Sequence, residues 1–160
     1  GMVHWEASPG SVILDLVDHV MFNPDDVFFD LGAGIGNIAI LVNLLTGVRV
    51  IGIEREPVLY TYAQQLIQEY ALENVNFVNA DARDADLGTG SIFYLFTPFV
   101  ASILDEVMKK LRIVAQDHRI LVCSFGPCTP QIAQIAWLKD VKGVGQDEFK
   151  LAIFQSDLRP

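Results

Sequence analysis

Residues 27–37 read Val-Phe-Phe-Asp-Leu-Gly-Ala-Gly-Ile-Gly-Asn: a hydrophobic run ending in Asp30, then glycines at 32, 34 and 36. The spacing D-x-G-x-G-x-G is how a buried parallel strand passes into a tight loop and a helix N-terminus, so that a nucleotide-like ligand can lie against bare backbone. Gly32, Gly34 and Gly36 permit close approach or positive φ where a Cβ would collide, and Asp30 sets a carboxylate at the strand's C-terminal edge. The expected ligand contains adenosine. A dinucleotide fingerprint G-x-G-x-x-G begun at Gly32 requires glycine at 37, where the chain has Asn37, and no G-K-[ST] is present for a triphosphate. The next strand ends in Glu54, where doubly wound folds place an acid that takes both ribose hydroxyls in charge-assisted hydrogen bonds. The charged run Glu54-Arg55-Glu56 also fits an ordinary solvated surface. On the ribose reading, Glu54→Ala weakens the ligand and leaves stability nearly unchanged.

Positioning such a loop needs an alternating strand and helix pattern, and the chain has one. Apolar residues at 12, 13, 16, 17 and 20 predict a helix over 11–20, opened by Pro9-Gly10-Ser11 and stopped by Asn23-Pro24. Strands follow at 27–31, 48–53, 75–78, 91–96 and 120–125, with helices at 37–45, 57–71 and 99–114 between them. Thr46-Gly47 ends the second helix and Pro57 opens the third. Strands apolar on both faces and separated by helices predict a doubly wound, mostly parallel α/β sheet covered on both sides. Near the C-terminus the alternation breaks. Too few residues separate strand 120–125 from segment 130–140 for a full crossover helix unless 131–138 supplies a short one. A glycine-bearing turn at 141–147 then leads into a final strand at 149–154.

With 160 residues, 51% of them hydrophobic, the chain suits one domain over 1–160. Gly1 ahead of Met2 looks like a scar of tag removal. No apolar run reaches the roughly 18 residues that span a bilayer, and no signal sequence opens the chain, so a soluble, cytoplasmic protein without a membrane partner is expected. The formal charge of −9 argues against nucleic acid, which is bound largely through Lys and Arg neutralisation of phosphates. A basic protein or a small amine is the easier partner, although surface acids also serve solubility alone. Cys123 and Cys128 flank a Pro127 turn with no second pair and no nearby His, so structural thiols are expected, with no metal site. His19 and His118 have no partner cluster and receive no chemistry.

The loop Asp30-Leu31-Gly32-Ala33-Gly34-Ile35-Gly36-Asn37 resembles the first motif of the class I S-adenosylmethionine (SAM)-dependent methyltransferases, and is similar to that of the non-SET histone-lysine family. The resemblance spans about 27–125. It implies a Rossmann-like seven-strand sheet in the order 3-2-1-4-5-7-6, closing in an abbreviated antiparallel hairpin. It implies SAM as cofactor, held by Asp30, Gly32, Ala33, Gly34, Gly36, Asn37 and Glu54, with Asp30 facing the cationic methionine end. It makes Asp81, in Asn79-Ala80-Asp81-Ala82, the acid near the adenine amino group and Ala82 a backbone donor; an Asp after a strand is also a common turn former.

Strand four ends in Phe93-Tyr94-Leu95-Phe96-Thr97-Pro98-Phe99. Families that methylate amino nitrogens carry Asn or Asp, then Pro-Pro and an aromatic, at this place. Thr97 stands where the Asn or Asp would, and Phe99 is the aromatic; these two are the candidate catalytic pair, or else packing, as Phe93, Tyr94 and Phe96 are expected to be. In some protein-lysine methyltransferases a segment before the first helix folds over the ligand; Glu6 or Ser8 would act there, unless Trp5 simply patches the core. The implied activity is an N-methyltransferase, with a protein lysine as first acceptor because no inserted lid encloses a small molecule. Three alternatives stand beside it: a small-molecule methyltransferase lidded by a second chain, a binding module or subunit without activity, and an NAD-dependent oxidoreductase, which Asn37 opposes. Oligomeric state is not legible.

Overall fold

The computed structural model describes residues 9–96 and 101–158. The glycine loop sits at the centre of the sheet because β1 (Val27–Leu31) is flanked by β2 (Arg49–Glu54) on one side and β4 (Ile92–Phe96) on the other, both parallel to it. Beyond β2 lies β3 (Val75–Asn79), and beyond β4 lies β5 (Leu121–Phe125), again parallel. Two antiparallel strands, β6 (Leu138–Asp140) and β7 (Ala152–Ser156), close the far edge. Among the described residues the sheet is seven-stranded in the order β3-β2-β1-β4-β5-β7-β6, the order the resemblance implied.

Strand alternation sorts the two cores. Phe28, Tyr94, Cys123 and Ile153 point to the side covered by α1 (Gly10–His19), α2 (Asn37–Thr46) and α3 (Pro57–Glu69). Phe29, Phe93, Val122 and Phe154 point to the side covered by α4 (Ala101–Asp117), which contributes Leu104, Val107, Met108 and Leu111. Each fully buried Phe or Leu side chain contributes about 1.5–3 kcal/mol. Helix α2 is capped by left-handed glycines, Gly36 before it (φ 89°) and Gly47 after it (φ 75°), and Asn43 inside it donates to the Val48 carbonyl at 2.8 Å, fixing the turn into β2.

The C-terminal region departs from the sequence expectation. The segment expected as a short helix over 131–138 is helical only in α5 (Thr129–Ile132), since Leu138 to Asp140 is drawn into the ladder with β7, Leu138 opposite Ser156. The last strand begins at Ala152 rather than at 149. The Phe149 N–H is held by the Asp147 carboxylate at 2.9 Å and the Glu148 carbonyl accepts Gly126 N–H at 2.9 Å, so these residues form a turn. Phe149 itself is 79% exposed. Cys123 and Cys128 are buried and form no disulfide, the Cys128 sulfur lies 3.4 Å from Ser124 Oγ, and burial pushes the Cys123 thiol up to about 12, consistent with structural thiols. No helix among the described residues is long and apolar enough to cross a membrane, and no group of His, Cys, Asp and Glu among them could hold a metal ion.

Candidate functional site

The loop after β1 is built by hydrogen bonds that only its glycines permit. Gly32 and Ala33 both donate to the Ile53 carbonyl at 2.9 Å, Gly36 donates to Ala33 at 2.9 Å, and Gly32, Gly34 and Gly36 all have positive φ, at 85°, 58° and 89°. The chain thus folds back on the end of β2 before entering α2. Three left-handed residues in five positions would be strained for any side chain. Gly36 meets a second constraint. A Cβ there would lie 2.4 Å from Phe77 Cζ, and one on Gly52 would lie 2.4 Å from Phe77 Cδ1. The Phe77 ring of β3 therefore lies across both glycines and supports the loop from beneath. Sequence reasoning missed this residue; its signal was Gly52, a glycine in mid-strand, which marks close approach of a neighbour.

Asp30 is buried at 3% exposure beneath the loop, and its Oδ2 has no hydrogen-bond partner. Helix α2 has no side-chain cap of its own, but the Ala39 N–H at its first turn favours the ionised Asp30. Burial wins over that effect: desolvation pushes the carboxyl up to about 7, the Ala39 hydrogen bond lowers it, and the nearby Glu54 charge adds to the rise. A buried, half-satisfied acid under a glycine loop is a place where a cation is favoured.

Glu54 at the end of β2 is 7% exposed, which excludes the solvated-surface reading. Its Oε2 accepts Gly34 N–H at 2.7 Å and its Oε1 accepts Glu56 N–H at 2.7 Å. The carboxylate is thereby locked in one orientation at the loop's middle glycine, with lone pairs remaining on both oxygens. Asn79 steadies the same turn by donating to the carbonyls of Glu54 and Arg55, each at 2.9 Å.

Asp81 follows β3 and lies on the Glu54 side of the loop. Its carboxylate is held by Arg83 through Nε at 3.0 Å, Nη2 at 2.9 Å and the backbone N–H at 2.9 Å, and these bonds hold it down to about 2. Lys110 of α4 in turn donates to the carbonyls of Arg83 and Ala85. Ala82 is buried at 5%. Asp30 near the end of β1, Glu54 at the end of β2 and Asp81 just after β3 thus lie on one sheet edge, with Gly32, Ala33, Gly34, Gly36 and Asn37 between the first two in the chain. Thr97 and Phe99, and Glu6 and Ser8, lie outside the described residues. His19 bonds Asp15 and His118 bonds the Gly90 carbonyl at 2.7 Å, both away from this edge.

A glycine loop after the first strand, acids at the C-terminal ends of the first three, and the order 3-2-1-4-5-7-6 define the class I methyltransferase fold. The sequence profile of the family described as Histone methylation protein DOT1 matches residues 2–91, more than half of the 160 residues, and the chain belongs to that family. It is 26% identical over 126 residues, 68% of the chain, to the histone-lysine N-methyltransferase, H3 lysine-79 specific, of Dictyostelium discoideum, and spans 7% of that protein's length. Solved structures share the fold. An RNA methyltransferase from Salinibacter ruber, in complex with S-adenosyl-L-homocysteine, superposes with a TM-score of 0.68 at 22% identity, over 97% of this chain and 96% of its own. Haemonchus contortus phosphoethanolamine N-methyltransferase 2, in complex with S-adenosyl-L-methionine, does so with 0.61 at 14% identity, over 73% and 28%.

Proposed function

We propose that this chain is a SAM-dependent N-methyltransferase whose acceptor is a protein lysine. The carrying observation is the Asp30–Glu54 pair around the glycine loop, in a chain whose family is described by histone methylation. The residues fit the cofactor. The orphaned Asp30 Oδ2 lies under the loop where a methionine ammonium or sulfonium would be stabilised, and Glu54 is locked with free lone pairs for two ribose hydroxyls. The glycines leave room where Cβ atoms would intrude. Asp81 and Ala82 would meet the adenine, Asp81 exchanging part of its Arg83 contact for the amino group.

When bound, SAM would supply a methyl carbon made electrophilic by its sulfonium, for an unprotonated acceptor amine. The chain's tasks are alignment and dehydration. In-line positioning is worth about 7–11 kcal/mol. Presenting a lysine of ordinary pKa 10.4 as the neutral amine at pH 7 costs roughly 4–5 kcal/mol, which apolar surroundings reduce by disfavouring the ammonium form. Thr97 and Phe99 follow directly on β4, the strand beside the loop, and are proposed to orient and desolvate that amine. The charge of −9 favours a basic protein over a phosphate-rich acceptor.

The test is incubation of the purified chain with methyl-labelled SAM and, separately, histone H3, total RNA and a small-molecule extract. Label in H3 lysine is expected. Label confined to RNA or small molecules overturns the protein-lysine reading. A second reading, a SAM-binding subunit without its own activity, is favoured by Thr97 in place of Asn or Asp; it takes precedence if calorimetry shows SAM binding while no acceptor is ever labelled.

A further inference from the structure

Two phenylalanines stand where strands deliver an acceptor to the loop. Leu31 pairs with Leu95, so Phe96, the next residue of β4, stands beside Gly32, the first residue of the glycine loop. Phe96 pairs in turn with Phe125 of β5, and the rings are stacked with centroids 5.5 Å apart and planes 28° from parallel. Both belong to the α1 and α2 side of the sheet, the side of Phe28 and Tyr94. Their exposure sets them apart. Phe28, Phe29, Phe93 and Tyr94, the other aromatics of β1 and β4, are at most 1% exposed, whereas Phe96 and Phe125 are only half-buried. Packing alone, the expectation for Phe96, does not account for a stacked aromatic pair left partly open beside a ligand loop.

The same edge continues outward. Ser124 pairs with Ala152, which brings Leu151 alongside Phe125. Leu151 lines a groove of about 310 Å³ together with Val12 and Asp15 of α1, Lys142 and the exposed Phe149. Two lysines also line the groove, and each has an acid beside it: Lys142 is paired with Asp15 at 2.8 Å and Lys150 with Asp147 at 3.7 Å.

We propose that the Phe96–Phe125 stack is the wall of the acceptor site, along which the methylene stem of the substrate lysine lies, and that the groove beyond Leu151 receives the polypeptide carrying it. This rests on the protein-lysine reading above. A four-carbon stem laid on two rings buries apolar surface on both partners, and the same surface strips water from the amine and disfavours its ammonium form. The proton is left with bulk water as the side chain enters. A planar base would also stack on such rings, but a chain of charge −9 repels the phosphates that accompany it.

The variants Phe125→Ala and Phe125→Gln test the wall, with Phe125→Leu as the apolar replacement, assayed on histone H3 across pH 6.5–9.5. Losing the wall should move the rising limb of kcat, which reports the bound amine, by about one pH unit to the alkaline side, a tenfold loss near neutrality that high pH recovers. Phe125→Leu should keep the parental limb, and SAM affinity by calorimetry should be the same in all folded variants. Phe125→Gln leaves a smaller void than Ala and serves if the Ala variant does not fold. Parental KM and pH profile in the polar variants overturn the wall while leaving the methyltransferase reading intact. A parent chain that binds SAM yet labels RNA, or nothing, overturns both.

Discussion

Asp30 is an acid held where water cannot reach it. Its carboxyl, raised by burial to about 7 from 3.8, keeps its proton in the folded chain over a range where the unfolded chain has lost it. Below about pH 4 both states are protonated and nothing is at stake. Between pH 4 and 7 the folded state binds more protons, so stability falls as pH rises, and above 7 the full penalty, at most about 4 kcal/mol, is in place. In Asp30→Asn that decline in urea-melt stability between pH 4 and 7 should flatten. The carboxylate should in turn favour the cofactor's cation, so SAM affinity should increase from pH 6 to 8 in the parent and stay level and weaker in the Asp30→Asn variant; equal pH profiles for the two proteins would remove Asp30 from the site. Glu54 poses the opposite case. Glu54→Ala should weaken SAM by about 2–3 kcal/mol, as for lost hydrogen bonds to a charged group. Sequence alone implies no effect on stability. The structure corrects this: Glu54 is the acceptor for Gly34 and Glu56 N–H groups, so its loss should cost about 1–3 kcal/mol in a melt without SAM as well.

At the scale of the element, the glycine loop is only as firm as what lies beneath it. Phe77 fills the space that Gly36 and Gly52 leave, joining β3, β2 and the start of α2 into one support. Gly36→Ala combines a φ of 89° with a Cβ driven into that ring, and should cost about 2–4 kcal/mol and abolish detectable SAM binding. Phe77→Ala should cost about 3–5 kcal/mol by opening a cavity, and should weaken SAM without touching it. Hydrogen exchange separates the two routes: in the Phe77 variant, amides 32–37 should lose protection while β5 amides keep theirs. Uniform loss across the sheet would mean that Phe77 is ordinary core.

For the whole molecule, the parallel order places the ends of β1, β2 and β3 side by side, and the ends of β4 and β5 beyond them, so that the proposed cofactor and acceptor sides share one edge. A ligand that bridges several strands of the native sheet, and none in the unfolded chain, stabilises by mass action. SAM at a hundred times its dissociation constant should contribute about 2.7 kcal/mol, a rise in Tm of roughly 5–10 °C for a domain of this size. NAD and ATP should give none, because Asn37 breaks the dinucleotide motif and no triphosphate loop is present. A larger shift with NAD than with SAM in scanning calorimetry would reverse the cofactor assignment.

Local signals carried much of this protein. The run Val27 to Asn37 specified a strand, three backbone positions open to positive φ and a helix start, because glycine's freedom and hydrophobic runs act over a few residues. The same locality made Glu54 and Asp81 visible as acids after strands. Tertiary structure alone decided what those acids do. Glu54 is bound by Gly34 from another strand's loop, and Asp30 is buried with one oxygen unpartnered, whereas the Arg83 contact that holds Asp81 spans only two residues and is local. It also decided where the last strand begins: residues 149–151 have strand-like composition, yet Asp147 and Gly126 claim the backbone groups that a ladder would need. The support of the loop by Phe77 and the stacking of Phe96 on Phe125 join residues distant in the chain. Such contacts follow from strand order and register, which no short window of sequence encodes.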